Sequence, residues 1–458
     1  MIKNDVNNKM SIVDIRQIND EYANLVETYR DQRSPIEVDF RKIAPIKYGE
    51  RATHSIHPYP AKLLPHIPAF FCNVTALSEI GDTVYDPFCG SGTSLLEARM
   101  AGRNTIGADS NPLARLISRV KTNPVRASRL RLGVKQIREW LADGKKKEDL
   151  DPDVVNLNYW YSKTAISALS RLRSAIDRFR DPAMTDFFSV CLSVTARKVS
   201  YADPRVSVPV RLNPSRFKKN SDYRRTVDDR ICWLDNVDVV SVFFDVANSN
   251  IERMEDLNNR LPLESKSDVR LHADARCGKS VTEGSVELVI TSPPYLGAQK
   301  YIRSSSLSLG WLGFAGQGEL RPLEVQNIGR EHYHVTEYEN LKETGISADR
   351  LIRKVSRNNP LRAHIAANYL IEMRQAIRAI KRTLSASGHL VLIAGPNRIT
   401  GLPFPTPQYL QEILLNEGFH IELELVDKIT SRGLMTRRNR TASTIESEWV
   451  CVYRKGEK

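Results

Sequence analysis

Cysteine is scarce in this chain: six residues, at positions 72, 89, 191, 232, 277 and 451, with no C-x-x-C pair and no Cys/His cluster at zinc spacing. A disulfide framework and a structural zinc module are thereby disfavoured, and a reducing compartment is expected. Long apolar runs are missing too. No stretch of about 18 consecutive apolar residues occurs, which excludes a helical membrane span. The first ten residues, MIKNDVNNKM, are polar and carry no apolar core of a secretory signal, so the expected location is the cytoplasm. Internal repeats and low-complexity tracts are absent as well.

What is present is ordinary for a folded protein: 458 residues, 41% hydrophobic and 26% charged. That length suits two or three domains, or one domain with large insertions. Lys and Arg outnumber Asp and Glu by 67 to 54, a formal net charge of +13. The excess fits a polyanionic partner but carries no information about fold.

Along the chain, Ile12, Ile15, Ile18, Tyr22, Leu25 and Tyr29 recur at helical spacing and predict an amphipathic helix over 11–33. A polar, proline-containing connector follows and ends in IHPYPAKLLPHIPAFF at 56–71. Thr83-Val84-Tyr85 then reads as a short strand running into DPFCGSGT, 86–93. The helix-prone SLLEARMAG follows, with Gly102 as its terminating residue. NTIGA, 104–108, predicts the next strand and delivers Asp109. Strand, glycine loop, helix and strand make a βαβ unit.

Residues 125–265 change character. They are rich in arginine and helical in pattern, with Ile166, Leu169, Leu172, Ile176 and Phe179 on one face. Strand patterns return at 268–271 and 286–290, and the second runs into Ser292-Pro293-Pro294-Tyr295. After a polar stretch at 315–360, a long helix is predicted over 361–384, with Gly388 ending the connection to a buried strand, HLVLIA, at 389–394. A helix over 407–417 and strands at 420–426 and 449–453 complete the pattern.

The glycine loop discriminates among nucleotide cofactors. A phosphate loop needs G-x-x-x-x-G-K-[ST], and no Lys follows Gly92; a dinucleotide fingerprint needs a third glycine where Leu95 stands. S-adenosylmethionine has no diphosphate and needs no full anion cradle, so it fits. Asp109, 23 residues beyond Asp86, is placed to accept from both ribose hydroxyls. A lone Gly-x-Gly would be an ordinary strand–helix turn; DPFCGSGT followed by GADSNP is far more specific. SPPY lies at the carboxyl edge of the expected sheet, where open α/β folds bind ligands. Its prolines fix φ and lack N–H groups, so Ser292 Oγ and the Pro293 carbonyl can both accept from an exocyclic amino group, while Tyr295 offers a face for stacking.

Taken in order, IHPYPAKLLPHIPAFF, DPFCGSGT, GADSNP, LHADAR and TSPPY resemble the S-adenosylmethionine-dependent amino-group DNA methyltransferases. The likeness is closest to the bacterial cytosine-N4 branch, whose tetrapeptide is usually SPP plus an aromatic; the adenine-N6 branch usually begins with Asp. It covers roughly 46–124, 266–312 and 363–458. The resemblance implies catalytic roles for Ser292, Pro293, Pro294 and Tyr295. It places Asp86, Pro87, Phe88, Gly90 and Gly92 along the methionine side of the cofactor, and Thr93 and Lys62 at its tail. Asp109 would hold the ribose, with Asn111-Pro112 flanking the adenine and Asp274 and Ala275 at the adenine amino group. No metal is required, since the sulfonium supplies its own leaving group, and His54, His57 and His66 are too loosely spaced for a metal site. No cysteine follows a proline, which argues against C5-type thiolate chemistry.

The expected fold is α/β: a doubly wound, mostly parallel Rossmann-like methyltransferase sheet with a C-terminal antiparallel strand and largely helical insertions. The boundaries read as an N-terminal helical extension (1–45), a core in three parts (46–124, 266–314, 361–458), a helical basic insertion (125–265) and a second insertion (315–360). The basic insertion is the candidate DNA-recognition region, through Arg197, Arg211, Arg216, Lys218 and Lys219. Arg437 and Arg438, with Arg432 and Arg440, form a second basic patch, and 301–311 is a candidate pocket wall. The expected activity is methylation of cytosine N4 in double-stranded DNA by base flipping, in a bacterial cytoplasm and at the nucleoid through DNA. A cognate restriction endonuclease is a candidate partner. Adenine-N6 methylation, an RNA substrate and a catalytically silent nucleic-acid-binding fold are the alternatives.

Overall fold

A computed structural model describes residues 15–44, 46, 51–60, 62–143, 152–262, 264–270, 274–279, 281–296, 301–315, 320–428 and 447–456. Its centre is one eight-stranded sheet. In chain order the strands are β1 (Ile36–Val38), β2 (Thr83–Asp86), β3 (Asn104–Gly107), β4 (Ser267–Val269), β5 (Val286–Thr291), β6 (Leu384–Ala394), β7 (Phe419–Lys428) and β8 (Ser447–Lys455). Their spatial order is β1-β7-β8-β6-β5-β2-β3-β4. Every pairing is parallel except those of β8, which runs antiparallel to both β6 and β7. The doubly wound sheet with an antiparallel C-terminal strand is therefore as expected from the sequence.

The chain leaves β2 toward β3 and β4, then returns to lay β5 on the other side of β2, pairing Val84 with Leu288 and Tyr85 with Val289. Strand order reverses between β2 and β5, and the carboxyl ends there frame the crevice in which such sheets bind ligands. Both strands are apolar and buried on both faces, as parallel strands are.

Three features differ from the sequence reading. Ile36–Val38 is a strand, pairing parallel with Leu425–Asp427 at the sheet edge, so the N-terminal segment is more than a helix. The helix Ile15–Gln32 packs Ile18, Tyr22, Leu25, Val26 and Tyr29 beside it. Gly388 lies inside β6 rather than before it. The helix Pro360–Thr383 passes directly into β6, and the β5–β6 register shifts between Val286↔Leu384 and Leu288↔His389, absorbing the extra residues as a bulge. A short hairpin, Asn397–Ile399 with Leu402–Phe404, was not anticipated either.

The helical insertion has the predicted character. Its main helices are Ala127–Ala142, Lys163–Ile176, Pro182–Lys198, Asp222–Asn236 and Val239–Arg260. Leu169, Leu172 and Ile176 are fully buried on the predicted face. All of these helices but Asp222–Asn236 share one apolar core with Leu113, Leu116, Ile117 and Val120 of the helix Pro112–Thr122 and with Leu307, Leu309 and Trp311; Asp222–Asn236 packs Val227 and Leu234 with Leu212 in a small cluster of its own. No helix among the described residues is long and apolar enough to cross a membrane.

Candidate active site

Asp86 closes β2 and turns its carboxylate back over the strand end. It accepts from the Phe88 N–H at 3.0 Å and from Thr291 Oγ1 at 2.7 Å, so the ends of β2 and β5 are tied together. Its burial pushes the carboxyl pKa up to about 6. Gly90 and Gly92 both sit at positive φ, +48° and +76°. A side chain at 92 would be strained and would also meet Ser118 Oγ at 2.8 Å. Gly92 thus lets the loop lie against the helix Pro112–Thr122, and Thr93 opens the helix Thr93–Met100, with its own side chain buried.

Asp109 follows β3 and crosses to the same loop. Its carboxylate accepts the Gly90 N–H at 3.0 Å and the Asn111 N–H at 2.8 Å. Desolvation raises its pKa, with those two N–H groups acting against the rise. Two bonds leave acceptor capacity on a carboxylate with about four lone-pair sites. Asn111 caps the helix Pro112–Thr122 through Leu113 N–H at 3.0 Å and donates to Tyr59 Oη at 3.1 Å and Ser305 Oγ at 3.3 Å. Tyr59, from the IHPYP segment, therefore bridges toward the glycine loop, 3.8 Å from where a Gly90 Cβ would stand. Cys89 is a buried packing residue against Leu95 and Val269.

Ser292-Pro293-Pro294-Tyr295 leaves the end of β5 beside Asp86, as its position in the sequence predicts. The Tyr295 hydroxyl donates to Glu448 Oε1 on β8 at 3.0 Å, which fixes the ring's orientation. Burial raises the pKa of both partners. Tyr295 lines a cleft with Tyr301, Arg303, Asn327, Arg330 and His332. Tyr301, a candidate wall in the sequence, does face this cleft, whereas Asn327, Arg330 and His332 carry no sequence signal that would have singled them out.

The remaining cofactor candidates divide. Ala275 is buried, but Asp274 is exposed and held by Arg276, Nη2 to Oδ2 at 2.8 Å and N to Oδ1 at 2.9 Å. Burial works upward on its pKa, and the Arg276 bonds outweigh it, so the carboxyl sits below its ordinary value. Arg276 also reaches Glu372 at 2.8 Å. Lys62 donates to the His54 carbonyl at 3.1 Å, and burial lowers its pKa to about 8. His54 pairs with Glu97 at 2.7 Å and His57 with Ser193 at 2.9 Å. No group of three or more His, Cys, Asp or Glu among the described residues could hold a metal ion.

Of the DNA-contact candidates, Arg197 is turned inward. It donates to the carbonyls of Asp203 at 3.2 Å and Val206 at 2.8 Å, which shapes the 203–206 loop. Arg211 lies between the rings of Tyr159 and Tyr201, 4.7 and 4.6 Å from their centroids. It lines a shallow cleft with Tyr159, Trp160 and Arg216. Arg216, Lys218 and Lys219 are exposed. Arg432, Arg437, Arg438 and Arg440 lie outside the described residues.

Residues 7–118 match a family model described as DNA methylase. Over 407 residues the chain is 23% identical to the type II methyltransferase M.MvaI of Kocuria varians, covering 85% of this chain and 87% of that protein. It is 24% identical over 254 residues to the type II methyltransferase M.BsoBI of Geobacillus stearothermophilus, 51% of this chain and 47% of that one. A solved structure of TTHA0409 from Thermus thermophilus, complexed with S-adenosyl-L-methionine, shares 18% identity over 40% of this chain and 54% of its own, with a TM-score of 0.22.

Proposed function

We propose that this S-adenosylmethionine-dependent relative of the amino-group DNA methyltransferases methylates the N4 amino group of cytosine in duplex DNA, with the base flipped out of the helix. Supporting the reading above all is one juxtaposition. The glycine loop after β2 and the SPPY segment after β5 leave adjacent strands, tied by the 2.7 Å bond from Thr291 to Asp86. A cofactor on the first loop and an amino group on the second then meet at one crevice.

Bound S-adenosylmethionine would supply an electrophilic methyl group on a sulfonium. The chain's own residues position both reactants. Asp109 accepts from the ribose hydroxyls with the acceptor capacity its two backbone bonds leave. The left-handed turn at Gly92 lets the loop close on Ser118, and Gly90 leaves the loop's face beside Tyr59 without a side chain, open to the methionine portion. Ser292 Oγ and the Pro293 carbonyl accept the two amino hydrogens of the target base, which favours a pyramidal nitrogen with its lone pair toward the methyl. Tyr295, held by Glu448, stacks on the ring, and Tyr301 closes the wall of the same cleft. Serine at the first position of the tetrapeptide supports cytosine over adenine. Exposed Arg216, Lys218 and Lys219 are suited to the DNA backbone. The type II designation of the two relatives supports a modification role beside a restriction endonuclease.

Ser292→Ala tests the assignment. Methyl transfer is expected to fall on the order of 100-fold, comparable to losing one fixed polar contact to a reacting group. S-adenosylmethionine affinity by calorimetry should stay within about twofold, since one hydrogen bond outside the cofactor site is worth little to it. Near-normal turnover would remove Ser292 from the mechanism.

A further inference from the structure

Lys121 lies in the last turn of the helix Pro112–Thr122 and is fully buried. A buried ammonium is expected to be ion-paired, because desolvation penalises it heavily. Among the described residues, Lys121 makes no ion pair. Its hydrogen bond is a long one, 3.4 Å, to Ser91 Oγ. Glu97, the acid that its charge feels, is already engaged by His54 at 2.7 Å and Arg51 at 3.2 Å. Burial and the nearby charge of Lys62 both hold the Lys121 pKa well below its ordinary value. His57 feels the charge of both lysines and is itself buried, and its Nδ1 has no hydrogen-bond partner among the described residues.

The two lysines meet one segment: Thr53 Oγ1 donates to the Lys121 carbonyl at 2.6 Å, and Lys62 Nζ donates to the carbonyl of His54, the residue after Thr53, at 3.1 Å. Ser91 is the residue between Gly90 and Gly92, one ahead of the N-cap of the helix Thr93–Met100, whose first N–H groups favour a negative charge. Two lysines and a helix start thus lie together, and the nearby carboxylate, Glu97, is already shared with Arg51 and His54. A structure tolerates such an arrangement when the counter-charge arrives with a ligand.

We infer that Lys121, with Lys62 beside it, receives the carboxylate of the amino-acid tail of S-adenosylmethionine. This rests on the cofactor assignment above and adds a residue which the motif pattern does not contain. In the sequence, Lys121 reads as one more basic residue at a helix end.

Two ligands separate the tail from the rest of the cofactor. S-adenosylhomocysteine keeps the amino-acid tail, whereas 5′-methylthioadenosine keeps the nucleoside and lacks it. Calorimetry on the full chain is expected to show Lys121→Met weakening S-adenosylhomocysteine by about tenfold or more, as for a lost charge-assisted bond. Affinity for 5′-methylthioadenosine should stay within about twofold, because it never reaches Lys121. The ligand-free melting temperature should hold or rise, since an uncompensated buried charge is removed. Equal losses for both ligands, an unchanged S-adenosylhomocysteine affinity, or a lower ligand-free melting temperature would each overturn the assignment. If the unmutated chain binds neither ligand, the cofactor reading itself fails.

Discussion

The two carboxylates at the ends of β2 and β3, Asp86 and Asp109, have different surroundings. Asp109 faces the loop with capacity to spare, so Asp109→Ala should weaken S-adenosylmethionine binding by about 10- to 100-fold, the worth of a lost charge-assisted bond. Turnover at saturating cofactor should survive far better, and titration calorimetry beside steady-state rates separates the two. An unchanged affinity contradicts the ribose assignment. Asp86 instead is buried under Thr291 and Phe88, and its pKa stands near 6 in the fold, above its unfolded value. A carboxyl raised in this way binds its proton more tightly when folded, so its contribution to stability is present at low pH and is lost as pH rises through about 6. Asp86→Asn keeps the acceptor for both bonds and removes the titration. Relative to it, the unmutated chain should lose up to about 3 kcal/mol between pH 4 and pH 7.5, about two pKa units at 1.36 kcal/mol each. Denaturant titrations across that range check this, and parallel curves for the two proteins would refute it.

At the scale of elements, the N-terminal helix is held to the far edge of the sheet by tyrosines. Tyr29 Oη donates to Glu424 at 2.5 Å and Tyr22 Oη to Glu422 at 2.6 Å, both acids lying on β7. Glu422 also has His389 at 3.2 Å, whereas Glu424 is buried. Tyr29→Phe should therefore cost about 1–3 kcal/mol by stranding a buried acid, and Tyr22→Phe should cost less. Chemical denaturation of the two variants gives the comparison; equal costs would show that His389 does not share Glu422. The elements around the site were the legible ones. β2, β3, β5 and the buried part of β6 are short runs bounded by Gly, Pro or Asp, and their length and those flanks favour a strand over a buried helix. Ile36–Val38 escaped notice because three residues carry no periodicity, and Gly388 misled because a glycine marks a bulge as readily as a loop. In the candidate site, Asp86, Gly90, Gly92, Asp109 and SPPY stand out in the sequence since they lie in three short continuous strings. Glu448 under Tyr295, Arg276 across Asp274 and Lys121 behind Ser91 were not. Their meaning comes from tertiary burial and pairing, and periodicity records neither.

For the whole molecule, the helical insertion is packed onto the sheet domain. Four of its five main helices share a core with the helix Pro112–Thr122, which itself backs the glycine loop through Ser118. A net charge of +13 and the Arg211–Tyr159–Trp160 cleft on this insertion suit a long polyanion. The central claim concerns what is done to that polyanion. Purified chain, S-adenosylmethionine and unmethylated genomic DNA are incubated, the DNA is digested to nucleosides, and the methylated product is identified by mass spectrometry. The account predicts N4-methylcytosine, lost in Ser292→Ala; N6-methyladenine in its place would contradict the base assigned from Ser292.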